Sequence, residues 1–298
     1  EQKLIAKDLQ GRAQLSPTGK YVVWFDQVSA TWVSYETKSG KISPLTKDLG
    51  VAFQDEDHDS PSLASPYGSM GWSEEDKYFM VYDRYDVWQL DPLMKERPAL
   101  LTNGYGRKNK IRLRYAKLDQ EARFISQNET VLLSAFWEES KEAGYLQLPK
   151  RTVQDPVLLV KSKDMYAASA LTKAKDANQI LFQKGNYKQA NELYVSDVTF
   201  KNMQAVTAVS AQMDSIKWGD VELVSWIGNQ GAKLEGLLYK PEGFDPNKKY
   251  PMLVYFYERN SDLLYQHRVP SPSRSTINIP YCVSNDYLVF VPDIIYSE

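Results

Sequence analysis

Two histidines, His58 and His267, and one cysteine, Cys282, are all that the 298 residues hold of the side chains most used as metal ligands and activated nucleophiles. A single cysteine excludes an intrachain disulfide and leaves the redox compartment undetermined. No C-x-x-C, H-E-x-x-H or glycine-rich phosphate loop occurs, so neither a metal nor an organic cofactor is implied. Lys and Arg number 36 against 38 Asp and Glu, a net charge of -2, which gives no electrostatic reason to expect nucleic acid or an anionic membrane as partner. No apolar run approaches the roughly 18 residues a membrane span needs. The stretch Glu1-Gln-Lys-Leu-Ile-Ala-Lys-Asp8 carries no signal-peptide pattern. Signals are removed on export, so the compartment stays open between periplasmic or secreted and cytoplasmic. A homo-oligomer is equally left open.

What the chain has in quantity is aromatic residues, 20 Tyr and 7 Trp among them, and turn signals, a combination that favours β structure. Ser16-Pro-Thr-Gly-Lys20 predicts a turn, Tyr21–Phe25 and Thr31–Tyr35 strands, and Ile42–Thr46 a short third strand. The pattern returns with the turn Trp72–Lys77, then Tyr78–Tyr82, Asp86–Leu90 and Ala99–Thr102. Lys20 and Lys77 are 57 positions apart, Thr46 and Thr102 are 56 apart. Weaker copies run Thr130–Phe136, Gly144–Leu148, Pro156–Val160, and Gln179–Gln183, Glu192–Ser196, Met203–Thr207. One small sheet cannot bury both of its faces, and radial stacking of such sheets does, so this period predicts about four blades of a partial β-propeller over residues 1–210. A β-sandwich is the alternative, and the repeats speak against it. Lys7-Asp8-Leu9 echoes Lys47-Asp48-Leu49, so residues 1–9 are expected to end an earlier unit.

From residue 211 the pattern changes. Val221–Ile227 and Lys233–Tyr239 alternate around Gly228-Asn229-Gln230-Gly231 and predict a hairpin. Tyr250–Tyr257 and Asn285–Asp293 are nearly continuous apolar runs, as expected of strands buried on both faces. Residues 276–284 fit a short helix. Three charged stretches stand out: Asp55-Glu-Asp-His-Asp59, the basic cluster Arg107, Lys108, Lys110, Arg112 and Arg114, and Phe136-Trp-Glu-Glu-Ser140. The first could hold a cation or a peptide amine, the second phosphate, the third a substrate amine. Each reads more simply as a solvated loop or an exposed strand end.

Leu234-Glu-Gly-Leu-Leu-Tyr-Lys-Pro241, Lys249-Tyr-Pro-Met-Leu-Val-Tyr-Phe-Tyr257 and Tyr287-Leu-Val-Phe-Val-Pro-Asp293, following a repeat-built β region, resemble the prolyl oligopeptidase family of serine peptidases, above all its dipeptidyl peptidase IV-like branch. The resemblance implies a mainly β chain, a partial β-propeller over residues 1–210 followed at 211–298 by the N-terminal strands of an α/β-hydrolase domain. It implies a peptidase acting on peptide substrates, with post-proline or dipeptidyl-peptidase specificity in view and the propeller gating access. It also assigns Tyr257 to the oxyanion hole. Departures accompany it. Glu258-Arg259-Asn260 stands where the family has a glycine-rich turn, and Ile294 follows Asp293 where an Arg-Gly pair is common. No G-x-S-x-G elbow occurs; the nearest string is Gly68-Ser-Met-Gly71, and both histidines precede the place of an elbow. The Ser/Asp/His triad is therefore not in this chain, which reads as an internal portion of a longer peptidase. The rival reading is a non-catalytic peptide- or protein-binding propeller with a decayed hydrolase-like part.

Overall fold

The computed structural model describes residues 4–228, 231–257, 259–272 and 276–294. The chain divides into two compact units, Glu1–Trp137 with Tyr145–Leu158, and Glu138–Gly144 with Leu159–Glu298. Its strands form five sheets in chain order. The first joins Gln14–Leu15, Tyr21–Asp26, Thr31–Glu36 and Ile42–Pro44; the second joins Ser69–Trp72, Phe79–Tyr82, Val87–Leu90 and Ala99–Leu100. The third joins Ile111–Tyr115, Val131–Trp137, Ala143–Leu148 and Val157–Ser162. Met165–Tyr166, Ile180–Asn186, Gln189–Ser196 and Gln204–Ala205 make the fourth, with Thr172–Lys173 also on Ile180–Asn186. The fifth holds Asp220–Ile227, Lys233–Lys240, Leu288–Pro292 and Met252–Val254, in that order.

The expected fold class, a partial β-propeller followed by the opening strands of an α/β-hydrolase domain, is corrected by this arrangement. The described chain is a mainly β series of separate open sheets of four or five strands, none closed or strongly curled. The physical reason lies in what a period measures. A repeat of about 56 residues sets the length of chain that makes one sheet, and carries no information about closure of sheets around an axis.

The repeat itself is written into hydrogen bonds. Ser16 Oγ accepts from Tyr21 N at 2.9 Å, and 57 positions on, Ser73 Oγ accepts from Tyr78 N at 2.9 Å. In the first, second and fourth sheets the last strand is only two or three residues long, too short for its ladder alone to hold it. A threonine just beyond it completes the attachment. Thr46 Oγ1 accepts from Trp32 N (2.9 Å), Thr102 Oγ1 from Val87 N (3.1 Å) and Thr207 Oγ1 from Leu193 N (3.0 Å). In two units the same hydroxyl donates to a buried carboxylate, Thr102 to Asp86 Oδ1 (2.6 Å) and Thr207 to Glu192. Asp86 accepts further from Gly106 N (2.8 Å) and Arg107 N (2.9 Å) in the helix Tyr105–Asn109. Glu192 accepts from Ser210 N (2.6 Å) in the helical turn Val209–Met213. Burial pushes the Asp86 carboxyl up against the pull of these donors. At Glu192 burial opposes ionisation too, but the donors from Thr207 and Ser210 prevail and hold it at about 2.

Alternation along these strands divides their side chains between two faces, and on the second sheet both faces enter a core. Between the first two sheets Tyr21 stacks on Trp72 at 5.8 Å, and Trp32 meets Phe79 edge-on at 5.2 Å, with Val23, Phe25, Val81 and Leu90 buried around them. Met80, Val87, Ile111, Leu113, Val131 and Leu133 pack the second sheet on the third.

Two outcomes follow for stability. Thr102→Val leaves Val87 N and Asp86 short of partners and should cost about 2–4 kcal/mol; Thr46→Val, with no carboxylate at stake, should cost about 1–2 kcal/mol, both read from urea unfolding. Glu192 has its folded value below the unfolded value of about 4.3. Its contribution is therefore full above that pH and is lost as pH falls towards 2. Glu192→Gln should flatten the decline of the urea midpoint across that window.

Candidate functional site

The fifth sheet begins with the expected hairpin. Asp220–Ile227 pairs antiparallel with Lys233–Lys240, and Gly228 N donates to Ala232 O at 2.9 Å; turn residues 229 and 230 lie outside the described residues. Lys233–Lys240 then pairs antiparallel with Leu288–Pro292, which pairs parallel with Met252–Val254. Gly236 permits the close approach, since a Cβ there would stand 2.8 Å from Pro292 Cα. The helix Ile279–Ser284 starts where Asn278 accepts from Tyr281 N at 3.0 Å. It buries Ile279 and Val283 on Leu237, Tyr239, Val289 and Val291.

Burial of the two apolar runs on both faces is not what the structure shows. Met252, Leu253 and Val254 are 49%, 36% and 52% exposed, because this strand is the sheet edge with one neighbour. Leu288–Pro292 alternates, with only Val289 and Val291 buried. The first run is also shorter than expected, ending at Val254 instead of Tyr257.

Beyond Val254 the chain leaves the carboxyl end of the parallel pair, where open α/β sheets place ligands. Tyr255 N still donates to Phe290 O at 2.9 Å, and its ring packs against the buried cluster of the sheet. Tyr257 is 70% exposed, and its hydroxyl has no hydrogen-bond partner among the described residues. Glu258 lies outside the described residues. Asp293 then fastens the chain: its Oδ1 accepts from Asn260 N (2.6 Å) and Ser261 N (2.9 Å), while its own N donates to Glu235 O (2.9 Å). Next to this anchor Lys141, only 5% exposed, lies 3.0 Å from Glu235 Oε2 and 3.2 Å from Asp262 Oδ1. Burial opposes ionisation of Glu235, but Lys233 and Lys141 outweigh it and lower its carboxyl. The arrangement presents a phenol hydroxyl on a loop tied at both sides. It can donate a hydrogen bond to a developing oxyanion, and it supplies no nucleophile–base pair of its own.

The other sequence candidates do not converge here. Asp57 pairs with Arg84 at 3.0 Å. The basic cluster is not a solvated loop: it spans the helix Tyr105–Asn109 and the strand Ile111–Tyr115. Arg112 lies 4.4 Å over Phe136, and Arg114 lies 4.7 Å over Tyr82, with burial pushing its guanidinium down. Phe136 and Trp137 end the strand Val131–Trp137. Gly68-Ser-Met-Gly71 runs into the strand Ser69–Trp72, not an elbow. His58 is half-buried, its Nε2 2.7 Å from Ser62 O. His267 is half-buried in a loop and stacks on Trp218 at 5.1 Å; burial pushes its ring down. Sequence reading missed the anchoring role of Asp293, although its place at the end of an apolar run was a signal. Lys141 gave none. Among the described residues no group of three or more His, Cys, Asp or Glu is placed to hold a metal, and no helix is long and apolar enough to cross a membrane.

No protein-family model matches the chain, and no curated protein matches it. Solved structures do. A puromycin-hydrolysing peptidase of Mycobacterium tuberculosis aligns with a TM-score of 0.59 at 12% identity, over 97% of this chain and 42% of that one. A protein assigned as a dipeptidyl aminopeptidase IV from Bacteroides ovatus aligns with a TM-score of 0.57 at 12% identity, over 95% and 41%. The acylaminoacyl peptidase of Pyrococcus horikoshii gives 0.51 at 12%, over 97% and 41%. At this identity the likeness is one of fold, and the chain spans about two fifths of the length of these structures.

The anchor can be tested by hydrogen exchange. In Asp293→Ala the amides of Asn260 and Ser261 should exchange at least about tenfold faster, the effect of one lost charge-assisted bond, while those of Leu237 and Tyr239 stay as they were.

Proposed function

We propose that this chain is part of a serine peptidase hydrolysing peptides, in which residues 211–298 open the catalytic part and Tyr257 donates to the oxyanion of the tetrahedral intermediate. Its nucleophile, acid and histidine would come from sequence outside these 298 residues. The observation that carries the reading is the contrast between two tyrosines of one run. Tyr255 is packed against the core of the fifth sheet, whereas Tyr257 stands exposed at the carboxyl end of the parallel pair with its hydroxyl unengaged. Likeness in fold to three peptidases supports it. The chemistry calls for such a donor because negative charge gathers on the carbonyl oxygen only in the transition state, so a donor fixed in advance lowers the barrier more than it tightens substrate binding. Post-proline or dipeptidyl-peptidase specificity is part of the same proposal, resting on the resemblance of Lys249–Tyr257 and Tyr287–Asp293 alone.

The absence of a G-x-S-x-G string and the Glu258-Arg259 pair favour the second reading, a peptide-binding protein without turnover. The two part on one experiment. In the chain expressed with its downstream coding sequence, Tyr257→Phe should lower kcat by roughly 10²-fold or more, the cost of one lost oxyanion donor. Tyr255→Phe should change it little. Peptide turnover at the parent rate by Tyr257→Phe removes the assignment, and peptide binding without labelling by a fluorophosphonate supports the second reading.

A further inference from the structure

Arg151, in the turn between Ala143–Leu148 and Val157–Ser162, has a side chain only 2% exposed. It lines a cavity of about 540 Å3 in the first unit, a volume within the roughly 300–1,000 Å3 usual for small-molecule sites. A guanidinium carries five N–H donors and no acceptor. Here Nη1 donates to Gln89 Oε1, and the ring of Tyr78 lies 5.7 Å away. The opposite edge is different. Nε is buried without a partner among the described residues, and Nη2 forms an ion pair with Glu74 Oε2 at 3.6 Å, longer than a hydrogen bond. Nε and Nη2 form the side-on edge that accepts a carboxylate in two parallel bonds. Leaving Nε unfilled in a buried position is costly.

Three of the carboxylates around the cavity are already engaged. Asp76 is occupied by Thr18 N and Oγ1, Asp91 by Leu93 N, Lys95 N and Glu96 N, and Glu96 by the Tyr78 hydroxyl. The Lys95 ammonium has no partner among the described residues, and that of Lys77 lies against Tyr78, 4.7 Å from the ring centre. Five carboxylates and four cations line the cavity in all, a net charge of -1, so the case for an anion rests on the unfilled Arg151 Nε and not on the lining charge. Tyr21 and Tyr78 add aromatic wall.

We propose that this cavity is a binding site for a small organic anion, an aromatic or apolar monocarboxylate, held side-on by Nε and Nη2 of Arg151 with Lys95 and Lys77 at its mouth. The site is independent of Tyr257 and of the peptidase reading. Its occupant satisfies the buried Nε and competes with Glu74 for Nη2.

Isothermal titration of the full chain at fixed ionic strength tests it, with benzoate as probe and acetate and inorganic phosphate as comparators. Saturable one-to-one binding of benzoate is expected, at least about tenfold tighter than phosphate. Arg151→Lys, which keeps the charge but loses the planar fork, should weaken it at least about tenfold, and Lys95→Gln about threefold. Glu74→Gln, which removes a competing carboxylate, should tighten it. Should Arg151→Lys fail to fold by circular dichroism, the exposed positions Lys95 and Glu74 decide. Absence of saturable benzoate binding into the millimolar range overturns the proposal. So does binding that neither Lys95→Gln nor Glu74→Gln alters. Phosphate bound more tightly than benzoate overturns the carboxylate assignment.

Discussion

A hydroxyl set against a backbone N–H recurs through the β region, and the sheets there depend on it. Thr46, Thr102 and Thr207 each close a unit whose last strand is too short to close itself. Without that acceptor the N–H of Trp32, Val87 or Leu193 would be buried and unpaired, a fault larger than the gain from any one ladder bond. Asp86 and Glu192 extend the constraint. Each receives the threonine proton and caps the backbone that follows, so one carboxylate joins the third strand, the last strand and the next helical turn. The aromatic cores can then form on sheets whose edges are already fixed.

In the fifth sheet the corresponding constraint is electrostatic. Glu235 and Asp293 face one another across the closest strand pair, brought there by the missing side chain of Gly236. Buried Lys141 balances Glu235 and Asp262, while Asp293 spends its charge on two amides. Removing Glu235 would leave the buried Lys141 charge with only the more exposed Asp262, which costs more than the pair's net worth. Position is what the set provides: it holds residues 260–262 in one place and with them the loop that bears Tyr257.

Much of this was legible in the residues themselves. Turn strings, the unit period, the hairpin at 220–240 and the short helix all follow from local pattern, and local pattern is what hydrogen-bonded turns and alternation express. Thr46 and Thr102, 56 apart, even marked the closing bonds. The ring did not follow, because closure is a relation among sheets that no window of sequence contains. Burial of Met252–Val254 was misread for a similar reason: an apolar run tells what a strand can bury, and sheet order decides what covers it. Tyr255 and Tyr257 share one face of an ideal strand, so only the early end of that strand at Val254 separates a packed ring from an exposed one. Lys141 reads as an ordinary charged turn residue, and its carboxylates lie some 90 and 120 positions away in sequence.

The anchor at Asp293 also has a bearing on the order of events during synthesis. A chain folds as it emerges, its earlier parts first. The segment bearing Tyr257 is made 33 residues before the carboxylate that fixes Asn260. Until the strand at 288–292 has left the ribosome and paired, nothing holds that segment in place, although the threonine-closed sheets upstream, each bonded over 14 or 15 residues, can already be complete. Placement of the exposed tyrosine is thus a late, long-range event resting on early, local ones, and a ribosome stalled before residue 293 would carry finished sheets and an unfastened loop.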